Sequence, residues 1–151
     1  GVTTVVGCLG TDGIGRDMCA LVAKTKGLNE QGMSAYCYTG SYQIPVRTLT
    51  DSVTKDIMMI QEIIGTGEIA ISDHRSSQPT YEEFVRVVAD TRLGGVLSGR
   101  RELLMSIWED SPRCMDLIER VVEETEIPAS QILPTHVNRN EKLFCKAISM
   151  H

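Results

Sequence analysis

Runs of β-branched and apolar residues alternate along the chain with segments whose apolar residues recur every three or four positions. The first pattern is typical of β-strands and the second of amphipathic helices. The alternation continues over the whole chain and predicts five strand–helix units. The predicted strands are residues 3–9, 34–38, 68–73, 103–108 and 132–136, and the helices that follow them lie near 16–26, at about 52–64, from about 80, at about 114–125 and at 141–150.

Two of the predicted helices carry start signals. In the second helix, Asp51 or Ser52 can serve as the N-cap of a segment with one apolar stripe that faces a sheet. The third helix begins at Thr80-Tyr81-Glu82-Glu83, the pattern of a capping box. The apolar stripe of the second helix consists of Val53, Ile57, Ile60 and Ile64.

Among the five predicted strands, the fourth has the weakest strand pattern.

The predicted strands begin 29 to 35 residues apart, which is close to the length of one βα unit in a (β/α)8 barrel of about 250 residues. A doubly wound parallel sheet would show the same alternation, but its phosphate-loop patterns, GxGxxG and GxxxxGK followed by Ser or Thr, are absent. The sequence therefore favours an α/β fold, a partial TIM (β/α)8 barrel of about five units. Because five units cannot close eight strands, we expect residues 1–151 to be the central part of a single barrel, with no second domain and two open strand edges.

Composition and charge narrow the range of partners. The 151 residues include 15 Lys and Arg against 20 Asp and Glu, a net charge of −5, which argues against binding to nucleic acid. The apolar runs are far shorter than the roughly 20 residues of a membrane span, so no membrane partner is expected. Five cysteines without CxxC spacing indicate a reducing cytoplasm. The first residues lack an initiator Met and a signal-peptide pattern, which predicts that the chain starts within a domain.

Chemically capable side chains follow the predicted strands, at the end where TIM barrels hold their working residues. His136 has the position of a zinc ligand there, with a hydrogen-bonded loop histidine as the alternative. Arg75 and Arg139 carry planar guanidinium groups that suit carboxylate or phosphate, or else form surface ion pairs. Glu68 lies in an otherwise apolar strand, where a carboxylate needs a metal or a buried arginine partner. Further candidates at strand ends are Thr11, Asp12, Tyr42 and Asp73.

Four strings carry a resemblance to a known family: residues 5–12 (VVGCLGTD), 38–42 (YTGSY), 70–76 (AISDHRS) and 133–140 (LPTHVNRN). In order and spacing, over nearly the whole chain, they resemble the isoaspartyl (β-aspartyl) dipeptidases of the amidohydrolase superfamily. The resemblance implies a metal-dependent (β/α)8 barrel, usually with two zinc ions, that hydrolyses the isopeptide-like bond of β-aspartyl dipeptides. It also implies a metallodipeptidase that is a cytoplasmic homo-oligomer when full length.

By the same resemblance, the five predicted strands correspond to barrel strands 2 to 6. Glu68 occupies the place of the anion that bridges the two metals, commonly a carboxylated lysine, and His136 matches the metal ligand of strand 6. Tyr42 looks like the group that polarises the scissile carbonyl. The residues that look like substrate contacts are Thr11, Arg75 and Arg139, with the arginines holding substrate carboxylates. The implied mechanism is attack by a metal-bridged hydroxide.

Much of the family's site is expected outside this chain, because the HxH pair of barrel strand 1 and the Asp of strand 8 have no counterpart here. Two candidate ligands are fewer than the three of a catalytic zinc site, so we expect this chain alone to bind zinc incompletely and to be inactive. Two alternatives stay open. One is a non-catalytic truncated remnant that binds a partner through its open strand edges, and the other is an amidohydrolase that acts on another carboxylate-bearing amide.

The fourth predicted strand, barrel strand 5, departs from the family pattern. The family reads approximately Gly-Lys-Ala-Gly-Val-Val-x-Val-His-Met-Gly-Asp, whereas residues 99–110 read GRRELLMSIWED, and Ile107 stands in place of the metal histidine. One interpretation is real loss of that ligand. The other is a compensated reading-frame slip, because one deletion and one insertion in a back-translated family sequence yield residues 99–111. If translated as such, Arg101 and Glu102 should destabilise the barrel wall unless they reach solvent.

Overall fold

Strands and helices alternate throughout the computed structural model, which describes residues 1–108, 113 and 115–149. The strands are β1 (Thr4–Gly7), β2 (Ser34–Thr39), β3 (Ile63–Ser72), β4 (Leu103–Trp108) and β5 (Ile132–Thr135). The helices are α1 (Met18–Glu30), α2 (Val53–Met59), α3 (Tyr81–Ser98), α4 (Asp116–Glu124) and α5 (Glu141–Ser149), with 3-10 turns at Ala129–Gln131 and Val137–Arg139. Among the described residues, no helix is both long and apolar enough to cross a membrane.

Every strand pairs in parallel with the next strand along the chain, so the sheet order is β1-β2-β3-β4-β5. In register, Val5 lies opposite Ala35, and Leu104 lies opposite Ile132. The predicted α/β class and the five βα units are therefore confirmed, as a five-stranded parallel sheet of half-barrel type. Because the strands are parallel, the carboxyl ends of all five strands lie at the same end of the sheet. We call this end, with the loops that follow the strands, the rim.

The described helices pack on one face of the sheet and do not cover the other face. One buried cluster joins Cys37 and Ile63 of the sheet to Met18, Val22, Val53 and Ile57 of α1 and α2. A second joins Ile69, Leu104 and Ile132 to Phe84 and Val88 of α3 and to Ile118 of α4. Alternate strand residues point to the opposite face, where Val6, Tyr36 and Leu133 remain 44%, 39% and 42% exposed. In a closed barrel, such side chains fill the interior.

The boundary between α2 and β3 differs from the prediction. The helix predicted over residues 52–64 ends at Met59, and β3 starts at Ile63 instead of residue 68. Ile60 and Ile64 therefore do not belong to the apolar stripe of α2, and that part of the prediction was wrong. The helical spacing of apolar residues in α2 continues by chance to Ile64 in the buried strand β3. A short apolar run does not show whether it belongs to a helix or to a strand.

Two glycines explain why the start of β3 escaped prediction. Gly65 and Gly67 interrupt its apolar run, and glycine inside a strand normally weakens the strand pattern. In the structure, a Cβ atom added at Gly65 would overlap the carbonyl oxygen of Leu103, and one added at Gly67 would lie 2.8 Å from the Cβ atom of Met105. Glycine is therefore required because the backbones of β3 and β4 approach closely.

The predicted helix starts are largely confirmed. The Ser52 hydroxyl accepts the backbone N–H of Lys55 and so caps α2 in place of the alternative, Asp51. At α3, the Thr80 hydroxyl accepts the backbone N–H of Glu83 while the Glu83 carboxylate accepts that of Thr80, which confirms the capping box. The predicted helix limits at Cys114 and Met150 lie outside the described residues, as do residues 109–111 of the sequence departure.

Strand β4 is better formed than its sequence pattern indicates, because it pairs with β3 on one side and β5 on the other. Arg100 lies before the strand, where its guanidinium donates to the carbonyl oxygens of Gln61, at 2.7 Å, and of Ile57. Arg101 is exposed. These two arginines therefore reach carbonyl groups and solvent and do not occupy the barrel wall.

Glu102, in contrast, does not reach solvent, since only 9% of the residue is exposed. Its carboxylate packs against the backbone of α3 so closely that a Cβ atom at Gly95 would overlap it. Burial raises the pKa of Glu102, although a backbone hydrogen bond and the charge of Arg92 lower it in part. The fold therefore disfavours the ionised carboxylate.

Replacing this carboxylate should stabilise the protein at neutral pH. Because the pKa of Glu102 is raised in the folded state, its contribution to stability is present at low pH and is lost as the pH rises through that raised pKa. We expect Glu102→Gln to increase the free energy of unfolding at pH 7 by up to about 1 kcal/mol and to flatten its decline from acidic to neutral pH. Urea unfolding of both proteins measures this, with exposed Glu123→Gln as the control. A less stable Glu102→Gln protein at pH 7 would contradict it.

Candidate functional site

The rim brings together three of the candidate residues from two loops. Tyr42 follows β2, and Asp73 and Arg75 follow β3. The Tyr42 hydroxyl donates to Asp73 Oδ2, and Arg75 Nη2 donates to the same oxygen at 2.6 Å and to Tyr42 Oη at 3.0 Å. The Arg75 guanidinium also lies 5.3 Å from the centre of the Tyr42 ring, within the range of a cation–π contact.

Asp73 is the centre of this network. Its side chain is fully buried, and its Oδ1 atom accepts the backbone N–H of Arg75 at 2.7 Å and the Nε–H at 3.0 Å. Burial raises the pKa of the Asp73 carboxyl, but the hydrogen bonds and charge of Arg75, together with the nearby His74, outweigh this and lower the pKa overall. The carboxylate is therefore ionised at neutral pH and balances the charge of Arg75.

The Tyr42 side chain is held on its apolar side as well. Tyr42 is 2% exposed and packs with Ala70 of β3 and Ile107 of β4 in a small buried cluster. Its carbonyl oxygen accepts the backbone N–H of Ala70 at 3.0 Å. Ile107, which stands where the resemblance expects a metal histidine, is thus 3% exposed and forms part of the apolar support of the tyrosine ring.

A second buried carboxylate shapes the loop that carries Tyr42. Asp56 of α2 is fully buried and accepts hydrogen bonds from the hydroxyl of Thr39 at the end of β2, the backbone N–H of Leu49 at 2.9 Å, and both the N–H and hydroxyl of Thr50. These bonds tie both ends of the loop between β2 and α2 to one helix. No role was predicted for Asp56 from the sequence. The only sequence signal that could have identified it is its position one helical turn after the N-cap Ser52.

The loops after β2 and β3 are also joined directly. Gln43 Nε2 donates to the carbonyl oxygen of Arg75 at 2.6 Å, and the backbone N–H of Ile44 donates to Ser77 Oγ at 3.1 Å. Tyr42 and Arg75 therefore lie on two loops that are fixed to each other.

Glu68, the candidate bridging anion, lies on β3 and is partly buried. Its Oε2 atom is 3.7 Å from the position of a Cβ atom built at Gly10, and its carboxylate interacts electrostatically with the nearby thiol of Cys8. Burial first, and then the charge of Glu68, raise the pKa of Cys8. The structure thus brings Glu68 to the loop after β1, and sequence reasoning did not anticipate its cysteine neighbour.

The remaining three candidates lie exposed at loops on the same side of the sheet. Thr11 is exposed in the turn after β1, next to Asp12, whose carboxylate accepts the backbone N–H groups of Ile14 and Gly15. His136 is exposed and has a left-handed backbone conformation with φ of 61°. Arg139 is exposed one turn later, and its backbone N–H donates to the carbonyl oxygen of His136 at 3.1 Å.

The described residues do not by themselves form a metal site. In residues 1–108, 113 and 115–149, no group of three or more His, Cys, Asp or Glu side chains is arranged to hold an ion. Glu68 and His136 are two candidate ligands, whereas a catalytic zinc site has three protein ligands. The expected zinc site stays a prediction that requires ligands beyond those described.

Comparison with solved structures identifies close relatives. The chain is similar to two crystal structures of the beta-aspartyl dipeptidase from the thermophilic, keratin-degrading Fervidobacterium islandicum AW-1, one of them in complex with beta-Asp-Leu dipeptide. Both are 49% identical to this chain with a TM-score of 0.97 and cover 99% of it. The chain covers 40% and 41% of theirs, so it spans about two fifths of their length. No protein-family model matches the chain.

Removing the Asp56 carboxylate should destabilise the loop that carries Tyr42. In Asp56→Ala, the N–H groups of Leu49 and Thr50 and two hydroxyls lose their acceptor, and each buried unsatisfied group costs about 1–3 kcal/mol. We expect a loss of about 2–4 kcal/mol in the free energy of unfolding, measured by urea unfolding. The control is Glu123→Ala, which removes an exposed carboxylate of α4. Asp17 is also exposed but is unsuitable as a control because it caps α1. Equal stability of the two variants would contradict the role of Asp56.

Proposed function

Because this chain is related over 99% of its length to β-aspartyl dipeptidases, we propose that it forms strands 2 to 6 of a metal-dependent dipeptidase barrel and binds a β-aspartyl dipeptide at the rim. The observation that carries the proposal is 49% identity with a TM-score of 0.97 to an enzyme solved in complex with beta-Asp-Leu dipeptide. On this account, the chain is a segment of a catalytic barrel and is inactive without the other strands.

The arginines of the rim support a substrate that carries carboxylates. A β-aspartyl dipeptide has two, the α-carboxylate of its aspartyl residue and the carboxylate of its C-terminal residue. The Arg75 side chain is 48% exposed although it is bonded to Asp73, and Arg139 is exposed after β5. Guanidinium groups bind carboxylates through paired hydrogen bonds. We propose that these two arginines hold the substrate carboxylates and that Thr11 contacts the substrate from the loop after β1.

Tyr42 is proposed to donate a hydrogen bond to the scissile carbonyl. A phenol that is positioned before reaction stabilises the negative charge that develops on this oxygen. Its packing against Ala70 and Ile107 supports the proposal, because it fixes the tyrosine ring and leaves only the hydroxyl proton to be redirected.

Zinc is proposed only for a completed barrel, in which Glu68 and His136 would supply two of the ligands. When bound, zinc lowers the pKa of a water ligand to near neutrality and polarises a carbonyl. Since the described residues do not fit a complete site, the contributions of this chain are limited to holding, orienting and hydrogen-bonding the substrate. A cytoplasmic location and a homo-oligomeric state stay predictions from the family resemblance.

A chimeric enzyme tests the proposed function. In it, this chain replaces the matching segment of the Fervidobacterium islandicum dipeptidase, which supplies the other strands. We expect the chimera to release leucine from β-Asp-Leu, to lose activity with a chelator and to regain it with zinc. Arg75→Ala should raise KM at least about tenfold, because a charge-assisted hydrogen bond contributes about 1.5–3 kcal/mol.

The matched control is Arg86→Ala, which removes an exposed arginine of α3 and should leave both kinetic constants within about twofold, as for surface substitutions in general. A chimera that is folded by circular dichroism but does not hydrolyse β-Asp-Leu would refute the proposed function.

A non-catalytic remnant is the second candidate function, and Ile107 is the observation that favours it. If Ile107 has removed a metal ligand, the chimera should be nearly inactive, and Ile107→His should raise its activity while the control Ile107→Val should not. If the chimera is as active as the parent enzyme, Ile107 is compatible with catalysis and the remnant hypothesis fails. Sequencing the source DNA across residues 99–111 separately tests the reading-frame slip.

A further inference from the structure

We infer that Asp73 is a positioning residue that holds the Tyr42 hydroxyl and the Arg75 guanidinium as one unit, an inference that deepens the proposed function and rests on it. In this unit, the group proposed to bind a substrate carboxylate and the group proposed to polarise the scissile carbonyl share a single acceptor. No substrate contact is assigned to Asp73 itself.

The hydrogen-bond arrangement around Asp73 carries the inference. Oδ1 accepts two N–H groups of Arg75, and Oδ2 accepts both Arg75 Nη2 and the Tyr42 hydroxyl. The Asp73 side chain has no exposed surface, so water cannot readily replace Arg75 or Tyr42 as its hydrogen-bond donor. An ion pair with one fully buried member, Asp73, holds its geometry more tightly than a pair whose two members are both exposed.

The position of the tyrosine proton gives the unit a functional consequence. A phenol has one proton to donate, and here the Tyr42 hydroxyl donates it to Asp73 while accepting from Arg75 Nη2. Tyr42 can therefore donate to a substrate carbonyl only after the bond to Asp73 is exchanged. A substrate carboxylate that draws Arg75 away from Asp73 would change the bond between Asp73 and the Tyr42 hydroxyl, so carboxylate binding and the position of that hydroxyl are coupled through Asp73.

The substitution Asp73→Asn separates this role from simple packing. Asparagine has nearly the same shape, but it is uncharged and replaces one acceptor oxygen with an NH2 donor. That donor would face the N–H groups of Arg75 or the hydroxyl of Tyr42. In either orientation the variant loses the charge and one acceptor for Arg75, so it should loosen the shared arrangement while it keeps the volume of the site.

A double-mutant cycle in the chimera tests whether Asp73 acts through Tyr42. We expect Asp73→Asn to lower kcat for β-Asp-Leu by about 100-fold, the effect of losing one positioned donor to the reacting oxygen. In the Tyr42→Phe background, the same substitution should lower kcat by less than about threefold, because residues that act as a unit are not additive. KM should rise in both backgrounds, since Arg75 is released in both.

Two controls distinguish positioning from stability. Glu123→Ala, which removes an exposed carboxylate of α4, should change kcat by less than about twofold. Thermal unfolding of every variant then shows whether a loss of kcat follows a loss of stability. If Asp73→Asn and Tyr42→Phe lower kcat independently, so that their effects multiply, the positioning role is refuted.

A spectroscopic measurement keeps the two proposals distinguishable. If the unmodified chimera does not hydrolyse β-Asp-Leu, the proposed function fails, and the positioning role is decided by the Nε–H signal of Arg75 in ¹⁵N-arginine-labelled chimera, assigned through its loss in Arg75→Lys. Positioning by Asp73 predicts a slowly exchanging Nε–H that becomes fast in Asp73→Asn. An unchanged exchange rate would overturn the inference.

Discussion

Parallel pairing of each strand with the next strand along the chain is the constraint on which the site depends. It places the five carboxyl ends on one rim, and every candidate residue of the loops lies there because of it. The close approach of β3 and β4, which Gly65 and Gly67 permit, brings Ala70 beside Ile107, and the two side chains support the ring of Tyr42. The backbone geometry thus contributes to the position of the tyrosine through apolar packing, in addition to its polar contacts.

Two buried carboxylates then give the loops a defined shape. Asp56 satisfies backbone and hydroxyl donors at both ends of the loop after β2, and Asp73 joins that loop to the next one through Tyr42 and Arg75. A buried carboxylate is costly unless several donors surround it, and both have four donors. Each of the loops after β2 and β3 is therefore held by several hydrogen bonds. The sheet face that the helices do not cover exposes Val6, Tyr36 and Leu133, as expected of a barrel interior that further strands would enclose.

Much of this architecture follows from sequence pattern. Local sequence signals were sufficient to predict the βα alternation, the capping box at Thr80 and the positions of Tyr42 and Arg75 after strands. The start of β3 at Ile63 was not predictable in this way, because Gly65 marks a contact with β4 and not a turn. The bond between Tyr42 and Asp73 joins residues 31 positions apart, and such pairing arises from sheet topology, which residue spacing does not reveal.

A crystal structure of the chimera with β-Asp-Leu tests the central claim most directly, namely that this chain supplies the substrate-binding rim of a dipeptidase barrel. The account predicts guanidinium nitrogens of Arg75 and Arg139 at about 2.7–2.9 Å from the substrate carboxylates, with Tyr42 within hydrogen-bond distance of the scissile carbonyl oxygen. A dipeptide bound without contact to either arginine, in a correctly closed barrel, would contradict it.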